Sequence, residues 1–142
     1  MGYLFLNSRM YTKDFDGWSV NKKFLDGIHK DNSFIPRIGE VRLIKIWVNI
    51  WSEQNGKWDY LRPILVLSIC GGMIIGLPMT TKSKWSLYNF GFEFKSTYSF
   101  AMINQIRSMD KKRFIKCMWT VQTEILKQIK KLLVTSFHLQ GV

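Results

Sequence analysis

The chain predicts an α+β fold: a small, mostly antiparallel sheet or barrel with a helix near each end. Three observations predict it. From Glu40 to Ile50, and again from Leu87 to Phe94, side chains alternate with the two-residue period of β structure. Pro63 to Thr81 carries no charged residue and is split by Gly71-Gly72, the pattern of two buried strands around a tight turn. Phe15 to Ile28 and Val121 to Leu132 instead place apolar residues at helical spacing.

In chain order, residues 1–12 read as a poorly ordered or loosely docked end, and a helix is expected from about Asp16 to His29. Phe15, Trp18, Leu25 and Ile28 share one side of it. A connector with Pro36 leads to the first strand. There Arg42, Ile44, Ile46, Val48 and Ile50 alternate with Val41, Leu43, Lys45, Trp47 and Asn49; apolar residues in both sets suit a strand covered on both faces. A polar loop from Ser52 to Lys57 precedes the hairpin of Ile64–Ile69 and Met73–Leu77. After a second polar loop, Thr80–Lys84, the fourth strand puts Tyr88, Phe90, Phe92 and Phe94 on one face. Lys95-Ser-Thr97 turns the chain into a fifth strand, Tyr98–Ile106. Asp110 caps a short helical turn, Phe114–Met118 makes a last short strand, and Thr120–Ser136 an amphipathic helix. In that helix Val121, Ile125, Ile129 and Leu132 face inward, and Lys127, Lys130 and Lys131 face solvent. The chain divides into an N-terminal helical extension, 1–38, and a barrel domain with its C-terminal helix, 39–142.

At 142 residues with a formal charge of +11, from 21 Lys+Arg against 10 Asp+Glu, the chain is suited to a polyanion. Nucleic acid and an anionic membrane surface are the two candidates. The uncharged stretch is not a membrane span, because Gly71, Gly72, Gly76 and Pro78 break it. The apolar start, Met1 to Asn7, is too short for a secretory signal and lacks a basic lead, so a cytoplasmic location is expected. Cys70, Cys117, His29 and His138 match no metal-ligand spacing, so neither a metal nor another cofactor is expected, and the cysteines read as buried free thiols.

Four segments in order carry a resemblance: Gly39-Glu-Val; Ser52-Glu-Gln with Gly56 and Arg62-Pro-Ile-Leu-Val-Leu67; Leu77-Pro-Met-Thr-Thr81; and Gln105-Ile-Arg-Ser-Met-Asp-Lys-Lys-Arg113. Together they resemble the MazF/PemK family, the endoribonuclease toxins of type II toxin–antitoxin systems. The N-terminal helix resembles an extension seen in one branch of that family. The resemblance implies an SH3-like barrel, a homodimer, cleavage of single-stranded mRNA, and restraint by a cognate antitoxin protein. It makes Arg62, Thr80 and Glu53 the catalytic candidates, and Gln54, Thr81, Lys82, Gln105 and Arg107 the RNA-binding ones. Asn104 stands where some relatives carry Asp.

The implied chemistry needs no metal. The RNA's own 2′-hydroxyl attacks the adjacent phosphorus and expels the 5′-oxygen, leaving a 2′,3′-cyclic phosphate and a 5′-hydroxyl. Such a step needs a proton acceptor, a proton donor, and positive charge on the phosphorane oxygens. Arg62, beside the rigid Pro63, offers a planar fork to two phosphate oxygens. The Thr80 hydroxyl can donate to a phosphate oxygen, and Glu53 either accepts the proton or orients Arg62.

Trp47, Trp51, Trp58, Trp119 and, less clearly, Trp85 stand where relatives usually carry Gly. Two readings are open: UGA codons read as Gly in the source organism, or aromatic platforms for base stacking. The competing functional reading is a non-catalytic barrel that binds nucleic acid, or a protein target such as a topoisomerase.

Overall fold

The computed structural model describes residues 14–28, 35–46, 61–82 and 86–137. Among these, helix α1 is Phe15–Gly27 and helix α2 is Thr123–Ser136. The strands are β1 (Glu40–Lys45), β2 (Leu61–Cys70), β3 (Met73–Thr80), β4 (Asn89–Phe94), β5 (Thr97–Met102), β6 (Arg107–Asp110) and β7 (Phe114–Thr120). Short 3-10 turns, Ile103–Gln105 and Lys111–Arg113, flank β6. The strands form one antiparallel sheet in the order β4-β5-β3-β2-β1-β7, with β6 paired to the first half of β3. The α+β architecture is therefore as the sequence predicts, with seven strands among the described residues.

The central hairpin turns at Gly71, whose φ of +61° suits a residue without a Cβ. Gly76 answers a different demand. A Cβ there would lie 2.5 Å from Ile64 Cγ2 and 2.8 Å from the Leu65 carbonyl oxygen, so β2 and β3 pack as closely as they do only with glycine at this point.

Strand alternation sorts the apolar residues onto two faces. Val41, Leu65, Leu67, Leu77, Met79, Phe92 and Ala101 pack with Val121, Ile129 and Leu133 at and along α2. Ile44, Ile46, Ile64, Val66, Ile74, Met109 and Phe114 form a second cluster on the opposite face. β1 contributes to both, which is why its apolar residues fall on both alternating sets.

The far edge of β3 is shared. Met73–Gly76 pairs with β6, and Met79–Thr80 with β5. Between these ladders lie Leu77 and Pro78, and proline has no N–H to donate. The ladder breaks there, and the chain crosses the gap as the 3-10 turn Ile103–Gln105. This corrects the expected strand Tyr98–Ile106, which ends at Met102, and introduces β6, which sequence periodicity does not announce.

The sheet's outer strands, β4 and β7, meet through side chains. The Trp119 ring stacks on Phe94 with centroids 3.9 Å apart and meets Phe92 edge-on at 5.7 Å. The curled sheet is thus joined along this seam by aromatic contact, without a hydrogen-bonded ladder between the two strands.

α1 starts one residue before the expected Asp16 and is capped by Asp14, whose Oδ1 accepts from the Gly17 N–H at 2.8 Å. Trp18 and Leu25 are buried with Ile28 against them, but Phe15 is 60% exposed. Phe15 lies in the first turn, ahead of the contacts that dock the helix. Those run from Trp18, under the Arg113 guanidinium at 5.5 Å, through Asn21, accepting from Lys45 Nζ, to the Asp26 carbonyl, accepting from Lys112 Nζ at 2.7 Å. The cysteines are a second correction: both are free, as expected, but exposed. Cys70 ends β2 at the glycine turn, and Cys117 sits in the exposed stretch of β7. Among the described residues no helix is long and apolar enough to cross a membrane.

Candidate active site

The β2–β3 register pairs Ile64 with Pro78 and Leu65 with Leu77. Continued two residues toward the strand ends, it sets Arg62 across from Thr80. Arg62 Nη1 lies 3.5 Å from the carbonyl oxygen of Met79, Thr80's neighbour, and donates to it. Two catalytic candidates that are far apart in sequence therefore meet at one end of the central hairpin, with Pro63 and the apolar run behind Arg62 fixing its backbone.

Arg62 is half-buried, and burial pulls its pKa below the ordinary arginine value. Arginine is basic enough to stay charged at neutral pH all the same. A cation partly withdrawn from water acts more strongly on a nearby anion than a solvated one.

Thr80 closes β3, half-exposed and paired with Phe100 on β5. Its Oγ1 accepts from the Lys82 N–H at 3.2 Å, so the hydroxyl oxygen pins the loop while its hydrogen can point elsewhere. Thr81 and Lys82 follow, both exposed. Gln105 ends the 3-10 turn at the break in β3's outer edge, and Arg107 opens β6 opposite Gly76. Both are half-buried and engaged with neighbours. Arg107, Arg62 and Thr80 fall on the same side of the sheet, because Arg107 pairs with Gly76, which alternates in step with Pro78 and Thr80.

Arg62, Thr80, Thr81, Lys82, Gln105 and Arg107 thus gather along the second half of β3. Glu53 and Gln54 lie outside the described residues, as do Trp47, Trp51, Trp58 and Trp85. Trp119 is described, and it forms the β4–β7 seam.

Two features escaped the sequence. Phe100 completes a row across the sheet with Arg62 and Thr80, and only the strand pairing reveals it. Arg113 lies half-buried over Trp18, its Nη1 donating to the Lys45 carbonyl at 3.4 Å. Burial first, and the charge of Arg107 next, lower its pKa, and Asp110 partly offsets them. The run Lys111–Arg113 gave a signal of charge but none of which residue turns inward. Among the described residues, no group of three His, Cys, Asp or Glu side chains is placed to hold a metal ion.

In fold the chain is similar to solved structures of toxins. MazF from Deinococcus radiodurans matches with a TM-score of 0.64 and 19% identity, over 74% of this chain and 98% of that one. An endoribonuclease from a mycobacterial species, in complex with its cognate antitoxin, matches with a TM-score of 0.56 and 14% identity, over 76% and 100%. The Mycobacterium tuberculosis toxin MazF-mt6 gives 0.53 and 11%, over 72% and 99%. No curated protein sequence matches significantly. The sequence profile of the PemK-like, MazF-like toxins of type II toxin–antitoxin systems matches residues 39–137, which takes in β1 through α2. The chain belongs to that toxin family.

Proposed function

We propose that the chain is the toxin of a type II toxin–antitoxin pair and cleaves single-stranded RNA without a metal ion. The observation that carries this reading is the placement of half-buried Arg62 across from Thr80, on a sheet face that also bears Arg107. Phosphodiester cleavage by the neighbouring 2′-hydroxyl gathers negative charge on the phosphorane oxygens. A preorganised guanidinium stabilises that charge more than it stabilises the ground state.

Arg62 supplies this charge by a two-point contact, and the Thr80 hydroxyl donates to a phosphate oxygen. Glu53 is assigned the proton from the 2′-hydroxyl, or the task of orienting Arg62. Gln54, Thr81, Lys82, Gln105 and Arg107 hold the strand on either side. The chain works in the cytoplasm as a homodimer, whose two barrels offer a longer basic channel than one. A cognate antitoxin protein restrains it. Residues 1–38 form an extension appended to the catalytic unit, 39–142.

The test is incubation of the purified protein with end-labelled single-stranded RNA in excess EDTA. The expected products carry a 2′,3′-cyclic phosphate and a 5′-hydroxyl. A 2′-methoxy group at the cleaved nucleotide should leave the strand bound and whole. Cleavage lost in EDTA and restored by magnesium would overturn the mechanism. A gel shift without cleavage in any buffer would replace it with a non-catalytic binding module.

A further inference from the structure

We propose that Tyr98 is a base-stacking platform, a specificity-determining residue that holds the base of a nucleotide flanking the scissile phosphate. The proposal rests on the ribonuclease reading above and adds a residue that the sequence motifs do not contain.

The placement follows from the strand pairing. Thr80 pairs with Phe100, Phe100 with Gly91, and Tyr98 with Glu93. Cross-strand partners share a face, and so do residues two apart on one strand. Arg62, Thr80, Phe100 and Gly91 therefore form one row across the sheet, with Tyr98 and Glu93 in the next row on the same face. Tyr98 is the diagonal neighbour of Thr80, a relation that puts Cα atoms about 7–8 Å apart. That separation brings a base on Tyr98 within a nucleotide's reach of a phosphate held at Thr80.

The ring is held in place. A Cβ built on Gly91 would lie 2.6 Å from Tyr98 Cε1 and 2.9 Å from its Oη, so the tyrosine leans over the bare glycine. It also meets Phe100 edge-on, with centroids 5.2 Å apart at 70°. Phe100 is 3% exposed and Tyr98 is 46% exposed. A buried ring and a missing side chain thus orient a large aromatic whose remaining surface is open to solvent. An aromatic fixed before binding loses little entropy when a base lands on it.

The neighbouring charges choose a base over a phosphate as the occupant. Glu93, across from Tyr98, repels phosphate, whereas Arg62 donates to the carbonyl of Met79, next to Thr80, and the Lys82 N–H is bonded to Thr80 Oγ1. A strand with its backbone toward those cations turns a base toward Tyr98. Shielding Gly91 does not by itself require an aromatic, since any apolar side chain of that reach would cover it. This difference makes the proposal testable.

The test compares the wild-type chain with Tyr98→Phe, Tyr98→Leu and Tyr98→Val. Binding is read by fluorescence anisotropy on an RNA oligonucleotide carrying 2′-methoxy at the mapped cleavage site. Matching oligonucleotides each have one abasic position near that site. Tyr98→Phe should bind within about twofold of wild type. Tyr98→Leu should bind about 5- to 100-fold more weakly, as expected for one lost base–aromatic stack, and should raise KM more than it lowers kcat. At one flanking position, removal of the base should abolish the difference between wild type and Tyr98→Leu. Tyr98→Val, a strand-favouring residue, makes the same comparison if the leucine variant does not fold. A folded leucine or valine variant that binds the intact oligonucleotide as wild type does overturns the platform. So does a loss of equal size with every abasic oligonucleotide. Either result leaves the ribonuclease reading standing if wild type cleaves. A wild-type chain that neither binds nor cleaves RNA overturns both.

Discussion

Arg62 is half-buried at the end of the central hairpin and donates to the carbonyl of Thr80's neighbour Met79, the position to which the proposed cleavage assigns a positive charge. Arg62→Ala should lower the cleavage rate by about 10²–10³, the scale of losing one oxyanion donor. Arg62→Lys should not restore it, because an ammonium cannot span two oxygens. Thr80→Ala should cost less and Thr80→Ser almost nothing. Melting temperatures of all four variants should stay close to wild type, and a folded Arg62→Ala cleaving at the wild-type rate would remove Arg62 from the mechanism. A second residue-scale consequence concerns acid. Glu40 accepts from Arg42 Nε at 2.6 Å and from the Arg37 N–H at 2.9 Å. Burial alone would raise its pKa, but these two bonds and the charges of Arg42 and Arg37 bring it below the ordinary 4.5. A carboxyl with a depressed folded pKa contributes stability above its unfolded pKa and loses it as pH falls through the folded value. Stability should therefore hold down to about pH 5 and decline below it. Glu40→Gln should be less stable at neutral pH and show a shallower acid-side decline in urea titrations; an unchanged slope would exclude Glu40 from acid unfolding. At this scale the motifs singled out Arg62 and Thr80, and the strand register brings those two positions to one end of the hairpin. The sequence misled at Cys70 and Cys117, because a cysteine's burial depends on its place on a strand rather than on its type.

Elements with a period of their own could be read directly: α1, the β2–β3 hairpin, β4 and α2 all lie within a few residues of their expected bounds. β6 could not be. Its four residues are too few to show a period, and they are a strand only because β3 offers them an edge after Pro78 breaks the ladder. The pairing of Thr80 with Phe100 was hidden for the same reason, since register between distant strands leaves no local trace. The hairpin of β4 and β5 carries a cost at its turn. Lys95 and Ser96 form its turn with φ of 45° and 61°, a conformation that Asn-Gly adopts readily and side chains with a Cβ resist. Replacing Lys95 with Asn and Ser96 with Gly should stabilise the chain by about 1–2 kcal/mol, read as a higher urea midpoint with the same slope. No gain would mean that the turn relaxes without strain. In either case the hairpin carries Gly91, Tyr98 and Phe100, so its turn influences their placement through register.

As a whole, the molecule combines a formal charge of +11 with one sheet whose two faces bury separate apolar clusters. A single barrel of this size gives RNA a short track, so the homodimer is the expected working form. Light scattering at micromolar concentration should give twice the 16.8 kDa chain mass, and a mass of one chain would count against it. The seam between β4 and β7 has a consequence in time. Phe94 and Trp119 are about 25 residues apart in sequence, whereas β4 and β5 are joined by a two-residue turn. Closing the longer loop costs more chain entropy and returns only ring contacts, so the seam should form after the rate-limiting step of folding. Trp119→Gly should then leave the folding rate nearly unchanged. A loss of about 2 kcal/mol of ring packing would appear almost wholly as unfolding about 30-fold faster. Equal shifts in both arms of the chevron would place the seam in the folding nucleus. With the shift confined to unfolding, the lifetime of the folded toxin, as distinct from how quickly it is made, is set largely where one tryptophan rests on one phenylalanine.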